Sequence, residues 1–402
     1  MTAIPRYRAS AAPALFSAGF RPFFLLSAIW AAVAIPLWLA FFSGGAAVPT
    51  ALAPAMWHVH EMVFGFAAAT VAGFLLTAIP NWTGRMPLQG GPLVVLVLLW
   101  LAGRLAMLFS ATIGAPAAAA LDLAFPAAFL AVVAREILAG RNWRNLPMVA
   151  ALAFLLAGNL LVHLDPLGIA ATAALGNRLG IATLLMLISF VGGRIVPSFT
   201  RNWLAKAQPE TAPPAPFDRL DRAVLALTAL ALAAWVAIPD EPAAPWLELA
   251  AAVALGLRLA RWRGGATWRE PLLSVLHLGY GWLALGFLLL ALDGFAPIVP
   301  QTAALHALTV GAIGTMTLAV MTRASLGHTG RPLTAGRGTV AIYALVTLAA
   351  LLRLAAPLGG GGYLLLLALA GTAWSGAFGL FALLYGPPLA RPRVKGEAAR
   401  PI

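Results

Sequence analysis

The feature that most constrains this chain is a repeated apolar run of about 20 residues, the length that crosses the hydrocarbon core of a bilayer. Twelve such runs can be read, with approximate cores at 23–43, 55–79, 91–110, 113–134, 146–165, 168–197, 221–239, 245–260, 270–292, 302–322, 339–356 and 362–385. Pro and Gly punctuate the gaps, as at Pro80, Gly90-Gly91-Pro92 and Pro213-Pro214. The first run is too long for the core of a signal peptide. Composition agrees: 61% of the 402 residues are hydrophobic and 10% charged, against about 25% charged in a soluble protein. The expected fold is all-α, a polytopic membrane protein of about twelve transmembrane helices, with 1–402 forming one integral membrane domain. The chain has no cysteine, which excludes disulfides, thiolate metal sites and iron–sulfur clusters within it. A protein-ligated metal must use His, Met, carboxylates or backbone oxygen.

The net charge of +13 reads as a topology signal and not as a nucleic-acid footprint, because Lys and Arg gather in cytoplasmic loops. With the N-terminus in the cytoplasm, 23 of the 26 Lys and Arg fall on one side and the opposite loops hold none. The basic groups include Arg6, Arg8 and Arg21 ahead of helix 1, Arg258 between helices 8 and 9, and Arg391, Arg393, Lys395 and Arg400 in the tail. Residues 1–22 and 387–402 are therefore expected as cytoplasmic termini of a multi-pass protein of the bacterial inner membrane. Arg104, Arg178 and Arg353 alone fall inside helices, in the outer halves of helices 3, 6 and 11.

The chain also repeats itself. Thr83-Gly84-Arg85 follows helix 2 and Thr329-Gly330-Arg331 follows helix 10; 23 residues before each threonine stand His60 and His306. Gly65 and Gly311 sit five residues after those histidines, and Asn177 stands 23 residues before Thr200 of helix 6. Helices 2, 6 and 10 read as equivalent members of three four-helix units.

Six histidines carry most of the available chemistry. His58, His60 and Glu61 lie at the outer end of helix 2, His163 at that of helix 5 and His306 at that of helix 10. His277 falls near the middle of helix 9, and His328 in a loop. Ionisable groups inside a membrane are costly and face a bundle interior or a cavity, and neutral imidazole ligates haem iron and copper. His58 and His60 point roughly 200° apart on a helix, so one can ligate while the other faces elsewhere; the spacing leaves open which. His277 and His163 are candidates for a second metal, Glu61 for a hydrogen bond to a ligand histidine, and the three arginines for haem propionates.

Three stretches carry a family resemblance: Trp57-His58-Val59-His60-Glu61-Met62-Val63-Phe64-Gly65-Phe66; Gly73 to Gly84; and His306 to Arg331. In these the chain resembles the NnrS family of bacterial membrane proteins, from about Phe20 to the His328 segment. The resemblance implies haem, expected as b type, with copper, and a role in nitric oxide metabolism: binding or handling nitric oxide, or relieving nitrosylated iron, with an electron donor as partner. In architecture the chain also resembles the core subunit of haem–copper oxidases, whose low-spin haem takes one histidine from helix 2 and one from helix 10. That likeness implies His60 or His58 paired with His306. It departs at helices 6 and 7, which hold no histidine for the oxidase copper. The competing reading is a transporter without a redox cofactor, in which Glu61, Asp122, Arg104, Arg178 and the histidines form a proton or anion pathway.

Overall fold

The computed structural model describes residues 12–296 and 298–394. Arg6, Arg8, Lys395 and Arg400 of the expected basic termini lie outside the described residues. Twelve long helices follow one another: α1 Phe20–Phe42, α2 Pro54–Thr83, α3 Gly91–Leu108, α4 Ala115–Ala139, α5 Trp143–Leu164, α6 Ala173–Ala207, α7 Arg219–Ala237, α8 Ala244–Ala260, α9 Pro271–Phe295, α10 Gln301–Thr329, α11 Arg337–Leu358 and α12 Gly360–Ala390. Eleven are long and apolar enough to cross a membrane. The remaining one, α8, has 17 residues, the lower limit for a span. Among the described residues there is no strand. In a lipid solvent only such closed hydrogen-bonding elements leave no backbone group unpaired.

Proline and glycine set the helix ends. Pro54, Pro92, Pro116 and Pro271 occupy the first turns of α2, α3, α4 and α9, where the missing N–H costs nothing. The repeated Thr-Gly-Arg signal is a helix stop. Gly84 and Gly330 both adopt positive φ, 70° and 79°, the left-handed conformation that ends a helix without a Cβ clash.

The repeat also shows in the backbone of α2, α6 and α10. Each contains one wide π turn, at Glu61–Ala67, Ile188–Gly192 and Ala307–Gly314. The first and third follow directly on His60 and His306. The α6 segment starts later relative to Asn177, so it follows the repeat less closely. The chain divides into two compact units: unit 1 comprises the described residues of Met1–Gly180, Ala324–Arg331 and Phe381–Ala399, and unit 2 those of Ile181–Arg323 and Pro332–Leu380. In unit 1, the N-terminal segment packs with the ends of α10 and α12. Arg21 Nη1 donates to the carbonyls of Pro388, Leu389 and Arg391, and this bonding draws the end of α12 into unit 1.

Three placements correct the sequence reading. Arg21 is buried within the first turn of α1, not ahead of it. Arg258 is not in a loop. It is fully buried in α8, tolerated because Nε donates to Asp221 Oδ1 at 2.7 Å. His328 closes the last turn of α10, with its ring 5.3 Å from that of Phe20.

Candidate metal centre

Unit 1 buries a polar cluster drawn from four helices. His60 ends the α-helical part of α2 and Glu61 opens its π turn. Arg104 comes from α3 and Asp122 from α4. Asn159 and His163, four residues apart and so on one face of a helix, come from α5. All six side chains are buried. One ring nitrogen each of His60 and His163 and a carboxylate oxygen of Asp122 lie within 4.8 Å of one another. Asp122 Oδ2 is 3.1 Å from His60 Nε2 and 2.9 Å from His163 Nε2.

The remaining groups hold this trio in place. Arg104 Nη1 donates to Glu61 Oε2 at 2.6 Å, and Arg104 Nη2 donates to Asp122 Oδ1. Asn159 Nδ2 donates to Asp122 Oδ2 at 2.8 Å, which turns Asn159 Oδ1 toward His60 Nε2 at 2.9 Å. Glu61 Oε1 lies 2.9 Å from His60 Nδ1. Every partner of the His60 ring is thus an acceptor. An imidazole there donates from both nitrogens, or a cation takes the place of the Nε2 proton. Charge counting agrees. Two carboxylates and one guanidinium leave one negative charge over when the imidazoles are neutral, and an uncompensated buried charge is costly.

The wide turn of α2 makes room for the arginine. A Cβ at Gly65 would lie 2.6 Å from Arg104 Nη1, 3.0 Å from Glu61 Oε2 and 3.1 Å from Trp30 Nε1, so only glycine fits. Its carbonyl accepts Trp100 Nε1–H at 3.0 Å, which satisfies a group on the π turn. Gly103 plays the matching part on α3, where a Cβ would come within 3.1 Å of Asp122 Oδ1. Arg104 Nε and Trp30 Nε1 are buried donors with no hydrogen-bond acceptor among the described residues.

The structure therefore brings together His60, Glu61, Arg104 and His163 of the residues selected from sequence. His58, on the other side of α2 as its spacing requires, stacks on Trp38 of α1 at 4.2 Å between ring centroids. Arg178 is half-buried in the part of α6 that belongs to unit 1. His277, His306 and Arg353 belong to unit 2. His277 lies in the second turn of α9 and not near its middle; its Nδ1 donates to Leu273 O at 3.1 Å. His306 is half-buried, and Nδ1–H donates to Thr302 O at 2.6 Å. Arg353 is buried near the end of α11, and its Nη1 has no acceptor among the described residues.

Two members of the cluster were not assigned to a metal from sequence. Asp122 figured only as a pathway group, although it is the one acid in the interior of α4. Asn159 was not singled out, although its spacing from His163 is a usable signal.

Fold and site together define a helical polytopic membrane protein with a buried His–His–carboxylate centre. The family comparison is specific: the NnrS protein family matches residues 14–393, nearly the whole chain, and the chain belongs to that family. Comparison with curated proteins gives no match.

Proposed function

We propose that this protein is a metal-dependent membrane protein of the nitric oxide response, which binds or handles nitric oxide, or relieves nitrosylated iron, within its membrane-spanning part. The observation that carries this reading is the buried convergence of His60, Asp122 and His163. The donor set fits a transition metal, since two imidazole nitrogens and a carboxylate oxygen suit copper or non-haem iron. Held by His60, Asp122 and His163, such an ion would supply Lewis-acid and redox chemistry toward a small uncharged gas. The chain's own contribution is positioning and exclusion of water. Glu61 and Asn159 fix the His60 ring, Arg104 fixes both carboxylates, and their burial keeps the surrounding dielectric low.

Copper is the proposed occupant of this trio, and haem the second cofactor. As candidate haem residues unit 1 offers His58 and Arg178, and unit 2 offers His306 and Arg353. To hold a haem, His60 would first have to leave Glu61, Asp122 and Asn159. The basic bias of the loops supports an inner-membrane protein with both termini cytoplasmic. A second reading, a proton or anion pathway without a redox cofactor, is favoured by the acceptor-only surroundings of His60.

The test is to purify the protein from cells supplied with haem and copper, measure its metals, and record the visible spectrum before and after anaerobic addition of nitric oxide. Bound metal and a spectral change with nitric oxide are expected. A correctly folded, colourless, metal-free protein overturns the proposal in favour of the pathway reading.

A further inference from the structure

A second charged site in unit 1 lies away from the metal cluster, where three helix ends meet. Arg21 is in the first turn of α1, His328 in the last turn of α10, Arg331 just beyond it, and Arg391 and Arg393 just beyond α12. The chain closes these segments on one another. Val394 N–H donates to Thr329 O at 3.0 Å, and Arg331 N–H donates to Leu326 O at 2.9 Å. Gly330 lacks the Cβ that would meet the Val394 carbonyl and come within 3.2 Å of Arg393 Cγ. This arrangement gathers His328, Arg331, Arg391 and Arg393 beside Arg21. Among the described residues none of Arg331, Arg391 and Arg393 forms a salt bridge. Arg331 Nη1 is buried without an acceptor among the described residues. Burial and the neighbouring Arg391 both push the Arg331 guanidinium down from its ordinary range, as expected where positive charge lacks a counter-ion.

Such a cluster needs an anion with several acceptor oxygens, and guanidinium groups match phosphate in a bidentate manner. Its position at the ends of three spans puts it at the level of lipid headgroups, where basic pockets between helices meet anionic lipids. We propose that Arg331, Arg391 and Arg393, with His328 beside them, bind the phosphate of an anionic phospholipid, which closes the charge of this corner and ties the C-terminal segment to the end of α10. Arg21, already directed to the carbonyls of α12, sets the platform and is not assigned to the lipid.

The experiment uses the full chain in a neutral detergent, with lipid binding followed by native mass spectrometry and thermal unfolding. The probes are phosphatidylglycerol, phosphatidylcholine and inorganic phosphate. Phosphatidylglycerol is expected to remain bound and to raise the unfolding temperature, while phosphatidylcholine does neither. Replacing both Arg331→Gln and Arg393→Gln should weaken phosphatidylglycerol binding about thirtyfold, at roughly one unit of surface attraction per arginine. The exposed Arg144→Gln in the first turn of α5 should leave it unchanged. If the double variant does not fold, Arg393→Gln alone, with its exposed side chain, should still lower the bound fraction severalfold. Equal binding of the two lipids overturns the proposal, as does an unchanged affinity in the Arg393 variant. So does an equal thermal shift from inorganic phosphate, which would make the site one for free phosphate.

Discussion

The π turns of α2 and α10 stand at the same place in two copies of a repeat, yet they are lined in opposite ways. At Glu61–Ala67, Gly65 opens the turn to Arg104, Glu61 and Trp30. At Ala307–Gly314 the matching Gly311 opens onto the Trp282 ring, with a Cβ 2.7 Å from its nearest atom, and the buried residues of the turn are apolar. His60 is locked between acceptors, whereas the half-buried His306 bonds a carbonyl of its own helix. The repeat dictates where the helix widens, and the residues on neighbouring helices decide whether the widening holds charge. The α6 turn is intermediate: its Ser189 carbonyl accepts from Arg258 at 3.0 Å, and that arginine is neutralised by Asp221.

This contrast can be broken most forcefully at the two arginines. Arg104→Ala leaves Glu61 and Asp122 buried without their cation and should cost about 3–5 kcal/mol, seen as a large fall in unfolding temperature or loss of folded protein. Arg353→Ala in unit 2 strands no carboxylate and should cost clearly less. Equal losses would remove the claim that Arg104 is held by buried carboxylates where Arg353 is not. The glycines come next. Gly65→Ala must displace Arg104 and should abolish metal binding, while Gly311→Ala should destabilise through the Trp282 ring with the metal retained. Metal analysis of the two variants separates these outcomes.

A smaller effect is expected at Asn159. Asn159→Ala removes the bond that orients Asp122 and should lower metal affinity about 10–100-fold, with about 1–2 kcal/mol of stability lost; equilibrium dialysis against a competing chelator measures it. The smallest concerns an exposed counterpart of the buried pair. In unit 2 the hydrogen bond from Arg261 holds the Asp218 carboxyl down to about 2, from its ordinary 3.8. Its contribution is therefore present above pH 3.8 and lost as pH falls through about 2. Asp218→Asn should lower the unfolding temperature by no more than about 2 °C at pH 6, and the difference should vanish near pH 2.

Much of this fold was legible in the sequence, because each span declares itself locally by length and hydropathy. The repeat, too, was visible in Thr-Gly-Arg and in the matched histidines, although the π turns that it encodes were not. Helix ends were less legible where they are polar. His328 was read as a loop residue because Gly327 and Gly330 flank it, yet only Gly330 stops the helix. Arg258 sorts with the basic residues between helices 8 and 9 by the charge bias, and the partner that lets it lie buried, Asp221, is 37 positions away. The site was half legible for the same reason. His60, Glu61, His163 and Arg104 declare themselves as polar groups in apolar helices. Their convergence on Asp122, and the part of Asn159, depend on how four helices pack, which no single-helix period contains.

The central claim is that His60, Asp122 and His163 are one metal centre within unit 1. X-ray absorption at the copper edge, on protein loaded with one equivalent of copper, tests it most directly. Two imidazole ligands at about 2 Å are predicted for the unmodified chain, one in His163→Ala, and two in His306→Ala. A spectrum unchanged in His163→Ala, or one that loses an imidazole in His306→Ala, would contradict the account.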